Sequence, residues 1–350
     1  MMGKLITNII IAAALLYSSA VADNKQTCAK KVPDFTSKKV CIPKRIDKII
    51  ITCYGGGSQE IALFMGADKI VAHPDTKQFK QFSKVYPHLK NTPSVGTFND
   101  VNLETLLKLR PTMVFAGVTS APMNERIRTA GIPQYTLGIG KHSIDSLLKE
   151  FHHIGTILHK EQKSDDLINY WKSRLIIIQK RLAKIDPSKH KKVFYSGTSG
   201  KIGTKDIKNW GDEFITSAGG INVASKAPFQ GGVSLEALNA WNPDIIITTS
   251  NSKSNLNAEV IYKNPALSQL KAVRDSKVFE APIGTFWWDR PSPESILGII
   301  WLSKILYPEV MHDIDLKQET KMFYKKFYNY ALTDKEYVEF FFNKNNKDQQ

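Results

Sequence analysis

Ser164-Asp-Asp-Leu-Ile-Asn-Tyr-Trp-Lys-Ser-Arg-Leu-Ile-Ile-Ile-Gln-Lys-Arg-Leu-Ala-Lys-Ile-Asp-Pro187, near the middle of a 350-residue chain, decides the architecture. Apolar side chains recur at Leu167, Trp171, Leu175, Ile178, Leu182 and Ile185, at steps of three and four that hold them on one helical face. Ser164 is placed to cap the first turn, and Asp165 and Asp166 stand at the positive end of the dipole. Lys180, Arg181 and Lys184 stand at the negative end, and Asp186-Pro187 closes the run. At about 1.5 Å per residue the spacing predicts a rod of roughly 30 Å. What it bridges is written on either side. Asn102-Leu-Glu-Thr-Leu-Leu-Lys-Leu-Arg-Pro-Thr-Met-Val-Phe-Ala-Gly117 returns, in order and hydropathy, as Ser234-Leu-Glu-Ala-Leu-Asn-Ala-Trp-Asn-Pro-Asp-Ile-Ile-Ile-Thr-Thr249. The chain reads as two similar lobes braced by one rod.

Each lobe reads as parallel α/β. In the first, the β-branched run Lys48–Cys53 meets Tyr54-Gly-Gly-Gly57, and Ser58 opens a helix through Ile61, Leu63, Phe64 and Met65. Strands at 69–72, 113–116 and 134–137 follow, with a helix near 103–109. Neither G-x-G-x-x-G nor G-x-x-x-x-G-K-[ST] is present, so the glycines do not mark a nucleotide site. In the second lobe, strands are expected at 192–195, 219–224, 244–248 and 277–280, with helices at 212–218 and 235–241. Beyond them, Ser292 and Pro293 are set to start a helix that Pro308 ends, and 316–328 and 336–342 read as amphipathic helices. One core is too few at this length. The expected division is a leader at 1–22, an N-terminal lobe at 23–142, connecting helices at 143–187, a C-terminal lobe at 188–342 and a disordered polar tail at 343–350.

Lys4, the apolar run Leu5–Leu16 and Ala20-Val21-Ala22 read as a cleaved export signal. The run falls short of the roughly 20 residues that span a bilayer, and no cysteine follows it closely enough for a lipoprotein. A soluble periplasmic protein is expected. The formal net charge of +15 raises nucleic acid as a partner. The lysines are scattered over amphipathic helices, however, and no zinc-finger or RNA-binding signature is present, so attraction to anionic ligands is the reading kept. Of three cysteines, Cys28 and Cys41 are close enough in sequence to form a disulfide stapling the N-terminal arm, a pairing that spacing alone does not prove. Cys53 sits in an apolar strand as a small hydrophobe.

Paired L-E-x-L…P-D-hydrophobic repeats, a central spanning helix, the Ala218-Gly-Gly-Ile-Asn-Val-Ala224 element and an export signal together resemble the class III periplasmic solute-binding proteins of ABC importers. Trp288-Asp-Arg-Pro-Ser-Pro-Glu294 is similar to the iron and nickel-chelate branch of that family. The resemblance covers about residues 45–330 and implies two Rossmann-like lobes held in nearly fixed relation by the rod. It implies a monomer that captures a small-molecule metal complex and hands it to the permease, with one glutamate per lobe engaging basic residues there. Glu104 and Glu236, equivalent in the internal repeat, take that role.

Ligands of open α/β sheets sit beyond the carboxyl ends of strands. The expected cleft residues are Tyr54, Gly55, Thr97, Phe98, Lys141, Lys201, Trp210, Phe229, Phe286, Trp287, Trp288 and Arg290. Flat aromatic faces suit a planar chelate, and a guanidinium suits its carboxylates or catecholates. No compact His/carboxylate triplet exists, so a bare ion is not expected; His142, on a strand-end loop, is the single candidate metal contact. No intrinsic cofactor is expected. The cargo is expected to be a chelated transition metal, iron or nickel, ahead of haem and cobalamin. An exported enzyme is the alternative of another class, but no nucleophile elbow, Ser-His-Asp order or carboxylate pair can be assembled.

Overall fold

The computed structural model describes residues 28–54, 56–196, 210–226, 233–249 and 257–341. The expected leader at 1–22 and tail at 343–350 lie outside the described residues. The described chain opens with an antiparallel hairpin, β1 (Cys28–Pro33) and β2 (Lys39–Pro43), where an N-terminal arm is expected from the sequence. Its turn is made by Asp34, whose Oδ1 accepts from the amides of Thr36 at 2.8 Å and Lys38 at 3.0 Å. The disulfide is not formed. Cys28 and Cys41 are free thiols, and the Cys41 thiol is pushed up to about 11 by burial and by a hydrogen bond to Cys28.

The N-terminal lobe holds β3 (Ile49–Ile51), α1 (Gly56–Met65), β4 (Ile70–Ala72), α2 (Lys80–Val85), α3 (Leu103–Lys108), β5 (Met113–Gly117), α4 (Ala121–Thr129) and β6 (Gln134–Leu137). Its four strands are parallel in the order β4-β3-β5-β6. After the connecting helices α5 (Ile144–Ile157) and α6 (Glu161–Leu182) come β7 (Lys192–Ser196), α7 (Asp212–Ser217), β8 (Ile221–Asn222), α8 (Leu235–Trp241), β9 (Ile245–Thr248), α9 (Ala258–Lys263), α10 (Lys271–Arg274) and β10 (Val278–Glu280). The second sheet is parallel in the order β10-β9-β7-β8. Counting strands within each lobe, both sheets read second, first, third, fourth, so the sequence repeat is a repeat of topology. The expected strand at 219–224 shrinks to β8, because Gly219 takes a left-handed φ of +92° and turns the chain.

The rod, α6, begins three residues before the expected cap. Ser164 is instead wholly buried in the first turn, its hydroxyl donating to the Glu161 carbonyl at 2.8 Å. It packs on Gly155 of α5, where any Cβ would lie 2.3 Å from the Ser164 hydroxyl. Both lobes are pinned to the rod. Lys163 Nζ donates to the Leu63 carbonyl of α1 at 2.5 Å, and Trp171 Nε1 donates to the Pro293 carbonyl at 2.9 Å. Arg174 pairs with Glu319, Nη2 to Oε1, at 2.9 Å. One hydrophobic cluster includes Ile49, Leu63 and Phe115 of the first lobe, Leu167 and Trp171 of the rod, and Val193, Ile299 and Trp301 of the second.

The terminal helices are α11 (Ser295–Leu306), α12 (Leu316–Phe323), followed by a π-helical turn at Tyr324–Tyr328, and α13 (Asp334–Glu339). α11 starts later than expected. Ser292 does not cap it; Ser295 Oγ accepts from the Ser292 amide at 3.1 Å and donates to the Ser292 carbonyl at 2.8 Å. The Glu294 side chain turns into the core, fully buried, and accepts from the Phe286 amide at 2.9 Å, the Tyr324 hydroxyl at 2.8 Å, Trp288 Nε1 at 3.2 Å and the Thr285 hydroxyl.

Candidate functional site

In both lobes the first strand has neighbours on either side, so the connections leaving its carboxyl end diverge and open a crevice there. β3 leads to Tyr54 and α1, and β7 ends at Tyr195 and Ser196. Between the lobes lies a cavity of about 540 Å³ lined from both sides, within the range of small-molecule sites. From the first lobe come Tyr54, Gly56, Gly57, Glu60, Phe98, Ile139, His142 and Glu150; from the second come Tyr195, Trp210, Phe286, Trp287, Asp289 and Arg290.

Two features of the first lobe are built by the backbone. Gly56 and Gly57 form the first turn of α1 on the cavity wall, and that turn carries no acidic residue, which leaves the positive end of the helix to an anionic group. Gly56 also lets the lobes meet, since a Cβ there would lie 2.6 Å from the Pro291 carbonyl oxygen. Phe98 adopts a left-handed φ of +53° and brings its ring to 5.9 Å from that of Tyr54.

The second lobe supplies the cation. Arg290 lies with its guanidinium carbon 4.6 Å from the centre of the Trp287 ring, and its Nη2 donates to Thr249 Oγ1 at 3.0 Å. Trp287 is fixed in turn by Phe286 and by Phe79 of the first lobe, with centroids 4.9 and 4.7 Å away. Arg290 Nε has no hydrogen-bond partner among the described residues. Its neighbour Asp289 accepts from the Tyr195 hydroxyl at 2.8 Å; burial raises that carboxyl, against the pull of Arg290.

The floor is acidic. Glu150 Oε1 lies 2.9 Å from His142 Nε2, and Glu150 Oε2 accepts from the Gly138 amide at 2.9 Å. His142 Nδ1 meets Ser146 Oγ at 3.1 Å. Glu60, 3% exposed, has an Oε1 with no hydrogen-bond partner among the described residues. Burial, and then the nearby Glu150, holds its carboxyl well above the usual range.

Of the expected cleft residues, Tyr54, Phe98, Trp210, Phe286, Trp287, Arg290 and His142 share the cavity wall. Gly55, Lys201 and Phe229 lie outside the described residues. Three expected cleft residues do not line the cavity. Trp288 is fully buried behind the wall, its indole held by Glu294 and packed edge-on against Phe340 and Phe341. Thr97 precedes the Phe98 turn in extended backbone and does not line the cavity. Lys141 is exposed beside the loop, tied by its amide to the Gly138 carbonyl. His142, expected as a metal contact, has both ring nitrogens engaged, and no group of three His, Cys, Asp or Glu side chains suited to a metal exists among the described residues. The reading missed Glu60, Glu150, Tyr195 and Asp289. Tyr195 was available as an aromatic near the carboxyl end of the first strand of its lobe. Glu60 was available as the one charged residue of its helix.

Residues 50–283 match the family model described as "Periplasmic binding protein". The molybdate-binding protein MolA of Haemophilus influenzae is 27% identical over 348 residues, covering 91% of this chain and 95% of MolA; its structure with molybdate superposes with a TM-score of 0.74 at 24% identity, covering 87% of this chain and 99% of that one. A periplasmic solute-binding protein of Veillonella parvula superposes with a TM-score of 0.75 at 27% identity, covering 92% and 99%. Helicobacter pylori CeuE with Ni(II) bound superposes at 0.72 and 21% identity, covering 89% and 99%, and shares the fold. These are solute-binding proteins and not enzymes. With two lobes of one topology, a bracing rod and a lined cavity between them, the chain belongs to the periplasmic binding protein family, the solute-binding subunits of ABC importers.

Proposed function

We propose that this chain is exported by a cleaved leader, works as a monomer, and captures an anionic transition-metal chelate, iron or nickel, for delivery to its permease. The observation that carries the reading is Arg290, stacked on Trp287 and facing the same cavity as the open helix end of α1. A guanidinium on an aromatic shelf is suited to the carboxylates of a chelator and its flat apolar parts. Size favours a chelate over a bare oxyanion, for about 540 Å³ exceeds several-fold the space of an ion comparable to a few waters at about 30 Å³ each. The 27% identity to MolA supports molybdate as the second reading.

Equilibrium dialysis against nickel–histidine, ferric citrate, molybdate and haem, with metal analysis of the retained fraction, separates these cargoes. We expect a chelate to be retained one to one. Replacement of Arg290 by Ala is expected to weaken it by roughly one to two orders of magnitude, as loss of a charge-assisted contact does. Retention of molybdate alone, or unchanged retention in Arg290→Ala, overturns the reading.

A further inference from the structure

Arg290 accounts for an anionic group on the cargo, and nothing so far accounts for Glu60, which the first lobe contributes to the same cavity. Glu60 lies one turn into α1, 3% exposed, with Oε1 unpartnered among the described residues and the cavity in front of it. Among the described residues, no lysine or arginine of its own lobe lines the cavity beside it. From α5 it faces Glu150, already occupied by His142 and the Gly138 amide; from the end of β3 it faces Cys53, and from β6 Tyr135. Among the described residues, the lysine or arginine on the cavity wall is Arg290, contributed by the other lobe. A carboxylate so placed would stand desolvated beside a second carboxylate, and both effects favour its neutral form. It becomes comfortable as an anion only when something cationic fills the space in front of it.

We propose that Glu60 meets the cargo as a carboxylic acid and gives up its proton to solvent when a cationic, hydrogen-bond-donating part of the cargo, such as a metal-bound amine or an ammonium, settles against it. The inference rests on the chelate reading and narrows it. The cleft then offers Arg290 from one lobe to carboxylate oxygens and Glu60 from the other to nitrogen donors, which selects amino-carboxylate chelates over oxyanions and all-oxygen chelators.

The test is titration calorimetry of the full mature chain with nickel–histidine and with molybdate, in two buffers of unlike ionisation enthalpy, for wild type and the near-isosteric Glu60→Gln. Nickel–histidine uptake by the wild type is expected to release about one proton per complex and to tighten by up to about tenfold per pH unit while the acid is protonated. In Glu60→Gln the release should fall to about zero, the pH dependence should flatten, and capture at neutral pH should weaken about tenfold. Uptake of nickel–histidine by the wild type with no proton release, or equal release by the variant, overturns the role of Glu60 alone. Uptake of molybdate alone, or of neither probe, overturns the chelate reading beneath it, which is a separate failure.

Discussion

Trp287 and Trp288 are adjacent, equally apolar and equally able to stack, yet one faces the cavity and the other the core. They sit in an irregular loop bracketed by the Ile283–Trp287 bridge, where no period of two or 3.6 tells which side a residue takes, so their split was not legible in the sequence. The burial of Glu294 was not legible for a related reason: an acid after Ser-Pro fits a helix start, and only its contacts with Tyr324 and Thr285 reveal it as a buried hub. Its burial has a measurable consequence. The carboxyl is raised from 4.5 to about 7 chiefly by desolvation, partly offset by its hydrogen bonds. Between those values the folded chain holds a proton that the unfolded chain has released, so this contribution to stability is complete below about pH 4.5 and is lost as pH rises through 7, by on the order of 3 kcal/mol. Thermal melts from pH 4 to 8 should show Glu294→Gln with a shallower decline than wild type; parallel curves would show that the fold does not raise the Glu294 carboxyl.

Elements were far more legible than side chains. The repeat around Glu104 and Glu236 carried over into two sheets of one strand order, because hydrophobic strands alternating with amphipathic helices admit few parallel arrangements. What escaped were elements lacking their own pattern: the β1–β2 hairpin, whose strands are short and lysine-rich, and the π-helical turn after α12. The glycine turn before α1 was legible as a turn, but not as a lobe contact. At Gly56 the nearest atom to an added methyl is a backbone oxygen of the other lobe, which cannot rotate away. Gly56→Ala should therefore cost about 1–3 kcal/mol of stability, as overpacking does, and weaken cargo retention by widening the cleft mouth. Denaturant melts and dialysis check both; a variant matching wild type in each would place no constraint on that approach.

At the scale of the molecule, each lobe offers one exposed glutamate at the start of an equivalent helix. Glu104 pairs with Lys108, both exposed, and the pair is worth little to the fold, and Glu236 is likewise at the surface. If these two meet the permease, replacing both by Lys should abolish cargo uptake by cells while leaving melting temperature and cargo affinity unchanged. Uptake at the wild-type rate would move the docking face elsewhere.

The shared core leads to a last consequence. With α6 hydrogen-bonded to both lobes and one apolar cluster running through all three, a wide closure that could advertise a filled cleft would have to break contacts the described residues share. Vacant and occupied molecules would then present almost the same silhouette to the importer and compete for it. An excess of vacant receptor should slow delivery, and turnover would depend on how quickly the importer discards a receptor that brings nothing.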